Sequence, residues 1–326
     1  MHQPQADQPP GRKGKGTCAF PAGLWQSRNS RYIGGEQGGK MQSEAYVLTL
    51  PPRQETPVVF SSPHSGRDYP AAFLAATVLD PLTIRSSEDA FVDELFAAAP
   101  RHGAPLLAAR APRAYVDLNR APDELDPCVI EGLPRSTHNP RIASGLGVIP
   151  RVVAGGRAIY RGKLSRDEAE DRIDRHWRPY HARLASLLEG AHARFGQAVL
   201  IDCHSMPHEA IEAHARPGSS RPEVVLGDRF GAAASRDVMD RVEAAFTRAG
   251  LNVSRNAPFA GAHITQAYGR PARGQHAIQV EIDRALYMEE QSLRKSADFA
   301  AFRALLDGVI AEITEIGRLR VPLAAE

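Results

Sequence analysis

The stretch that most constrains this chain is Ala198-Val199-Leu200-Ile201-Asp202-Cys203-His204-Ser205-Met206-Pro207. An apolar run that gives way at once to Asp202, Cys203, His204 and Ser205 describes a buried strand leaving the core for a polar crevice, where α/β proteins place ligands. Val58-Val59-Phe60 repeats the design, running into Ser61, Ser62, Pro63 and His64. Two strands that each deliver a histidine to one sheet edge suggest a metal.

The surrounding segments fit a sheet with helical crossovers. Ser165-Arg166-Asp167-Glu168 has capping-box spacing and opens a helix through Ile173 and Trp177. Pro179 predicts a kink or break before a second helical run through Leu184, Leu187 and Leu188. Gly196 ends that run and Ala198 starts the central strand, the helix-to-strand order of a parallel sheet. Further strands are expected at Leu106 to Ala109, Tyr115 to Leu118, Val224 to Gly227 and Leu251 to Ser254. Ala277 to Ile282 alternates Ile278, Val280 and Ile282 with Gln279 and Glu281, a strand with its acidic residue near the end. Helices are expected over Arg236 to Ala249 and along the stripe Phe299, Phe302, Leu306, Val309, Ile310 and Ile313. Residues 121–163, rich in Pro, Gly and Arg, form a long excursion over the sheet edge.

These elements predict a three-layer α/β sandwich: a mixed, mainly parallel sheet with helices on both faces and the site at the carboxyl ends of the strands. No internal repeat or second domain is visible. Residues 1–40 read as a disordered extension without an apolar signal core, and 41–326 as a single domain.

Composition narrows the function. The 40 basic and 38 acidic residues are well mixed and leave a formal charge of +2, which gives no support to nucleic-acid or membrane-surface binding. No protein partner is predicted. No run approaches the roughly 18 apolar residues of a membrane span. Cys18, Cys128 and Cys203 follow no metal or disulfide spacing, so a reducing, cytoplasmic setting is expected.

The polar residues expected at strand ends are His64, Glu88, Asp89, Asn119, Arg120, Asp202, His204, His263 and Glu281. Two histidines and a carboxylate are a common ligand set for catalytic zinc, with the fourth position left for water. Glu281 is placed to take a proton from that water and pass it to a leaving amine. Asn119-Arg120 offers a carboxylate clamp. Each reading has a plainer rival: helix capping for Glu88 and Asp89, a surface ion pair for Arg120 or between Glu281 and Arg284, and a structural hydrogen bond for each histidine. A thiol nucleophile at Cys203 is disfavoured because adjacent strand residues point to opposite faces, and Ser205 lacks the Gly-x-Ser-x-Gly elbow.

The chain resembles the N-formylglutamate amidohydrolase family, related in fold to zinc carboxypeptidases, over roughly Val58 to Glu290. The resemblance rests on several ordered matches: Pro63-His64-Ser65-Gly66, Glu88-Asp89 with Phe91-Val92 and Leu95-Phe96 behind, and Tyr115-Val116-Asp117-Leu118-Asn119-Arg120. It continues through Trp177-Arg178-Pro179-Tyr180-His181, Asp202-Cys203-His204-Ser205, the Gly261 to Thr265 loop and Gln279-Val280-Glu281. What it implies is zinc-dependent hydrolysis of a small anionic N-acyl amino acid, typically N-formyl-L-glutamate, as in histidine breakdown. It also implies His64, Asp89 and His204 as zinc ligands, Glu281 as general base, and Asn119, Arg120, His263 and Thr265 as substrate-binding residues. Alternatives are another N-acyl amino acid or small peptide as substrate, or a non-catalytic anion-binding relative. The family loop Gly-Gly-His-Ile-Thr carries Ala262 at its second position here.

Overall fold

The computed structural model describes residues 31–35, 38–134, 139–212 and 221–319. Nine strands form one sheet: β1 (Arg31–Gly35), β2 (Gly38–Gln42), β3 (Tyr46–Thr49), β4 (Val58–Ser62), β5 (Leu106–Ala109), β6 (Ala198–Met206), β7 (Val224–Gly227), β8 (Val253–Arg255) and β9 (Gln275–Asp283). Their order is β1-β2-β3-β5-β4-β6-β9-β7-β8. The centre, β5-β4-β6-β9, is parallel throughout. Antiparallel pairing begins at β3 on one side and between β9 and β7 on the other. The disordered extension expected over residues 1–40 falls for residues 1–30 outside the described residues, whereas β1 and β2 pair as an antiparallel hairpin at the sheet edge.

Strand alternation sorts the side chains between two layers. Val58, Phe60, Val199, Ile201, Cys203, Ile278, Val280 and Ile282 enter one apolar layer with helices α2 (Arg236–Arg248) and α4 (Phe299–Thr314). Val59, Ala198, Leu200 and Ala277 face the other layer, covered by α1 (Arg178–Phe195) and the short α3 (His263–Tyr268). Asp202, His204, Gln279 and Glu281 continue that second face toward the strand ends. A slip of one residue would drive all four into the apolar layer and lift out side chains whose burial is worth roughly 1.5–3 kcal/mol each, so the register is firmly set.

One element takes a form the sequence did not specify and another differs from the sequence reading. The interruption expected at Pro179 takes the form of a π-helical turn at Ile173–Trp177, which joins the helix Arg166–Arg172 to α1 and places Pro179 in a first turn, where its missing N–H matters least. Tyr115 to Leu118 is a loop rather than a strand, held by Tyr115 N–H to Pro112 O at 2.9 Å and Asp117 N–H to Val148 O at 2.8 Å. Among the described residues no helix is long and apolar enough to cross a membrane.

Candidate active site

His64 sits in the turn that follows β4. Gly66 lets this turn lie flat on the segment at Arg110-Ala111, for a Cβ there would meet the Ala111 carbonyl oxygen at 2.1 Å. The backbone then binds the acidic segment directly, Asp89 N–H donating to His64 O at 3.0 Å. His204 comes from β6, and β9 pairs with it so that Glu281 lies opposite His204 and Gln279 opposite Asp202. All these side chains are buried.

The two imidazoles are arranged alike. His64 donates Nε2–H to Asp117 Oδ1 at 2.7 Å, and His204 donates Nε2–H to Asp202 Oδ2 at 3.0 Å. With those protons committed, both Nδ1 atoms face Asp89 Oδ2, at 3.5 Å from His64 and 3.0 Å from His204. His64 Nδ1 is buried without a hydrogen-bond partner. Two imidazole lone pairs and a carboxylate oxygen repel unless a proton or a cation lies among them. A tetrahedral zinc with bonds of about 2.05 Å needs ligand separations of about 3.3 Å, which the two distances bracket. The donor set therefore fits a metal, and carboxylates behind the histidines are the support that metal-ligating imidazoles ordinarily have.

Electrostatics agree with the geometry. Burial opposes charge on Asp89, yet His204 and His64 hold its carboxyl well below the usual range. Burial likewise opposes an imidazolium at His204, but Asp202 and then Asp89 outweigh it and raise the pKa well above the ordinary value. Asp117 is held low against burial by Arg113, His64 and Arg120. Glu281 behaves oppositely: burial pushes it up to about 7, partly offset by His204. Gln279 donates Nε2–H to Glu281 Oε1 at 2.6 Å and fixes its orientation.

Glu88 and Asp89 separate cleanly. Glu88 turns away, bound by Arg85 through both carboxylate oxygens at 3.0 Å and by the Tyr69 hydroxyl at 3.1 Å. Asp89 Oδ1 accepts from Arg284 Nη2 at 3.1 Å and Ser205 Oγ at 3.3 Å, which leaves Oδ2 toward the histidines. Arg284 is thus buried on Asp89 and does not pair with Glu281 at the surface.

A cavity of about 510 Å³ opens over this group, with His64, His204, Glu281, Arg113, Arg120 and Arg141 in its wall. Arg120 gives Nε–H to Leu146 O at 2.9 Å and an Nη1 hydrogen to Asn119 O at 3.1 Å, and among the described residues it has no carboxylate partner. Asn119 is tied into the protein: its Oδ1 accepts from Ile264 N–H at 2.7 Å, and its amide donates to Asp202 Oδ2 and Gln279 Oε1, both at 3.4 Å. The structure does not bring His263 or Thr265 to the cavity wall. Thr265 donates its hydroxyl to Ala262 O at 2.9 Å, and the His263 ring rests 5.9 Å from Trp177 and 5.6 Å from His181. Gly261, at φ +104°, is the position of this loop that needs glycine, since a Cβ would meet Thr265 Oγ1 at 2.5 Å.

Sequence reasoning assigned no role to Asp117, Arg113, Arg141 or Gln279. Asp117 and Gln279 lie inside motifs already singled out, and the alternation of β9 puts Gln279 beside Glu281. Arg113 and Arg141 sit on loops that carry no periodic signal.

A model of the N-formylglutamate amidohydrolase family matches residues 56–288. The N-formylglutamate deformylase of Pseudomonas aeruginosa is 31% identical over 275 residues, 82% of this chain and 96% of that protein. The N-formylglutamate deformylase of Pseudomonas putida is 30% identical over 237 residues, 72% of this chain and 82% of its own length. The crystal structure of an N-formylglutamate amidohydrolase from Ralstonia eutropha superposes with a TM-score of 0.78 at 38% identity, covering 84% of this chain and 98% of that one. With a metal-suited triad, a buried carboxylate near neutral pKa and matches that run through both, this chain belongs to the N-formylglutamate amidohydrolase family.

Proposed function

We propose that this enzyme hydrolyses N-formyl-L-glutamate to L-glutamate and formate, with zinc or a similar divalent ion held by His64, Asp89 and His204. The convergence of both Nδ1 atoms on Asp89 Oδ2, each imidazole backed by a carboxylate, is the observation that carries this reading. When bound, the metal supplies Lewis acidity for the formyl carbonyl and lowers the pKa of water. Glu281 accepts a proton from the attacking water and delivers it to the amide nitrogen as the C–N bond breaks, so that the amine leaves neutral. A carboxyl with a pKa near 7 suits both halves of that transfer. Arg120, beside the partly buried Arg113, holds a substrate carboxylate. Asn119 keeps Asp202, Gln279 and the Ile264 end of α3 in register, and His263 and Thr265 support the 261–265 loop. A cytoplasmic setting accords with Cys128 and Cys203 both being free thiols.

Metal analysis of the purified protein, with hydrolysis of N-formyl-L-glutamate before and after chelation, tests this reading. About one zinc per chain is expected, with activity lost to chelator and restored by metal. Glu281→Gln should keep the metal yet lose roughly 10²–10⁴-fold in kcat. A metal-free active enzyme or an unimpaired Glu281→Gln variant would overturn the mechanism.

A further inference from the structure

We propose that Arg141 is the residue that makes this enzyme selective for acyl amino acids with an acidic side chain, by binding the side-chain carboxylate of the substrate. The inference rests on the N-formylglutamate reading above and goes beyond it. Cations in the cavity wall differ in what already neutralises them. Arg284 is spent on Asp89, and Arg113 donates Nε–H to Asp117 at 3.0 Å. Arg120 and Arg141 have no carboxylate partner among the described residues, and they are close enough for Arg141 to help lower the pKa of Arg120, an effect led by burial. Two unpaired guanidinium groups along one wall match a dianion with two separate carboxylates.

Position assigns the two ends. Arg120 is buried next to Asn119, near the histidines, and the α-carboxylate of an N-acyl amino acid is borne by the same carbon as the scissile amide. Arg141 is exposed at the rim, where a carboxylate two methylenes farther out would lie. The backbone couples them: Leu146 donates N–H to Arg141 O at 2.8 Å while its own carbonyl accepts Arg120 Nε–H. The turn beneath Arg141 is braced from two sides. Asn139 caps the short helix Pro140–Ala143 and is itself held by Glu124 Oε2 at 3.3 Å. Arg151 bridges Asp126 Oδ2 at 2.9 Å and Ala143 O at 3.2 Å. The braced turn fixes where the Arg141 side chain starts, and its unpaired guanidinium keeps all its donors for a carboxylate.

The test compares N-formyl-L-glutamate with its uncharged isostere N-formyl-L-glutamine, using wild type, Arg141→Met and Arg141→Lys. Wild type should prefer the glutamate compound. Arg141→Met should lose about 10–100-fold in kcat/KM on it, chiefly through KM, as expected for a hydrogen-bonded charge pair. Arg141→Met should fall far less on the glutamine compound, whose carboxamide takes only a neutral-acceptor hydrogen bond, an unchanged circular dichroism spectrum reports intact folding, and Arg141→Lys should recover part of the loss on the glutamate compound. An equal fall on both substrates would make Arg141 a general source of positive potential and overturn the assignment, as would no fall on either. A wild type that hydrolyses neither compound would overturn the functional reading itself and this assignment with it.

Discussion

His181 is kept as a neutral imidazole, so its removal should change how stability depends on pH. The ring is buried and stacks on Trp177 with centroids 3.9 Å apart. It donates Nε2–H to Leu118 O at 2.8 Å and accepts the Tyr268 hydroxyl at Nδ1, 2.9 Å away. Burial pushes its pKa down to about 3, the nearby His263 acts in the same direction, and the Leu118 carbonyl partly opposes them. No carboxylate pairs with it among the described residues. Below the ordinary histidine pKa of 6.5, the unfolded chain takes up a proton that the folded chain refuses. The stabilisation is therefore complete above that pKa and is lost progressively as pH falls toward the folded value. From about pH 7.5 to about pH 5 the linkage amounts to about 2 kcal/mol, a figure almost independent of the folded pKa as long as it lies below about 4. His181→Gln retains a donor for Leu118 without a titrating group. Urea denaturation of both proteins at the two pH values should show wild type losing about 2 kcal/mol more than the variant. Other shifted groups, including His204, His208 and Asp117, are common to both proteins and cancel to first order. Identical pH dependence in the two proteins would refute a buried neutral His181.

Two further perturbations test the proposed metal site. Asp117→Asn removes the carboxylate behind His64 and leaves Arg113 facing an amide, so metal affinity measured against a competing chelator should fall about 10–100-fold; unchanged affinity would separate His64 from metal binding. Gly66→Ala puts a Cβ 2.1 Å from the Ala111 carbonyl oxygen, so the turn bearing His64 must shift, with an expected loss of about 1–3 kcal/mol in stability together with weaker metal binding. A variant with both properties intact would show that the turn tolerates displacement.

What could be read from the sequence, and what could not, divides along a physical line. A strand has a period of two, so the alternation of Ile278, Val280 and Ile282 with Gln279 and Glu281 sets Glu281 on the face opposite those three apolar residues, and the apolar run before Asp202 places His204 near the polar end of a buried strand. The histidine and carboxylate of the site follow from that periodicity and from parallel pairing. Loops have no such period. Asn119 and Arg120 stand next to each other, and the sequence offered them as one clamp, yet the chain turns there: Asn119 goes inward to Ile264 and the Asp202–Gln279 pair, and only Arg120 keeps hydrogen-bonding capacity toward the cavity. Glu88 and Asp89 are equally acidic and equally placed before a helix. Their roles are separated by Arg85, which takes Glu88, and Arg284, which anchors one oxygen of Asp89 so that the other faces the histidines. Arg284 is far away in sequence, so no local pattern could have revealed that choice. The same holds for Arg113 and Arg141, whose use depends on which carboxylates the fold leaves for them: Asp117 for the first and, among the described residues, none for the second. His204 on β6 and Glu281 on β9 thus belong to regular elements, where periodicity makes them legible, whereas the parts played by Asp89, Arg113 and Arg141 are decided on loops by which charges the fold brings to them, which only long-range pairing in the folded chain can disclose.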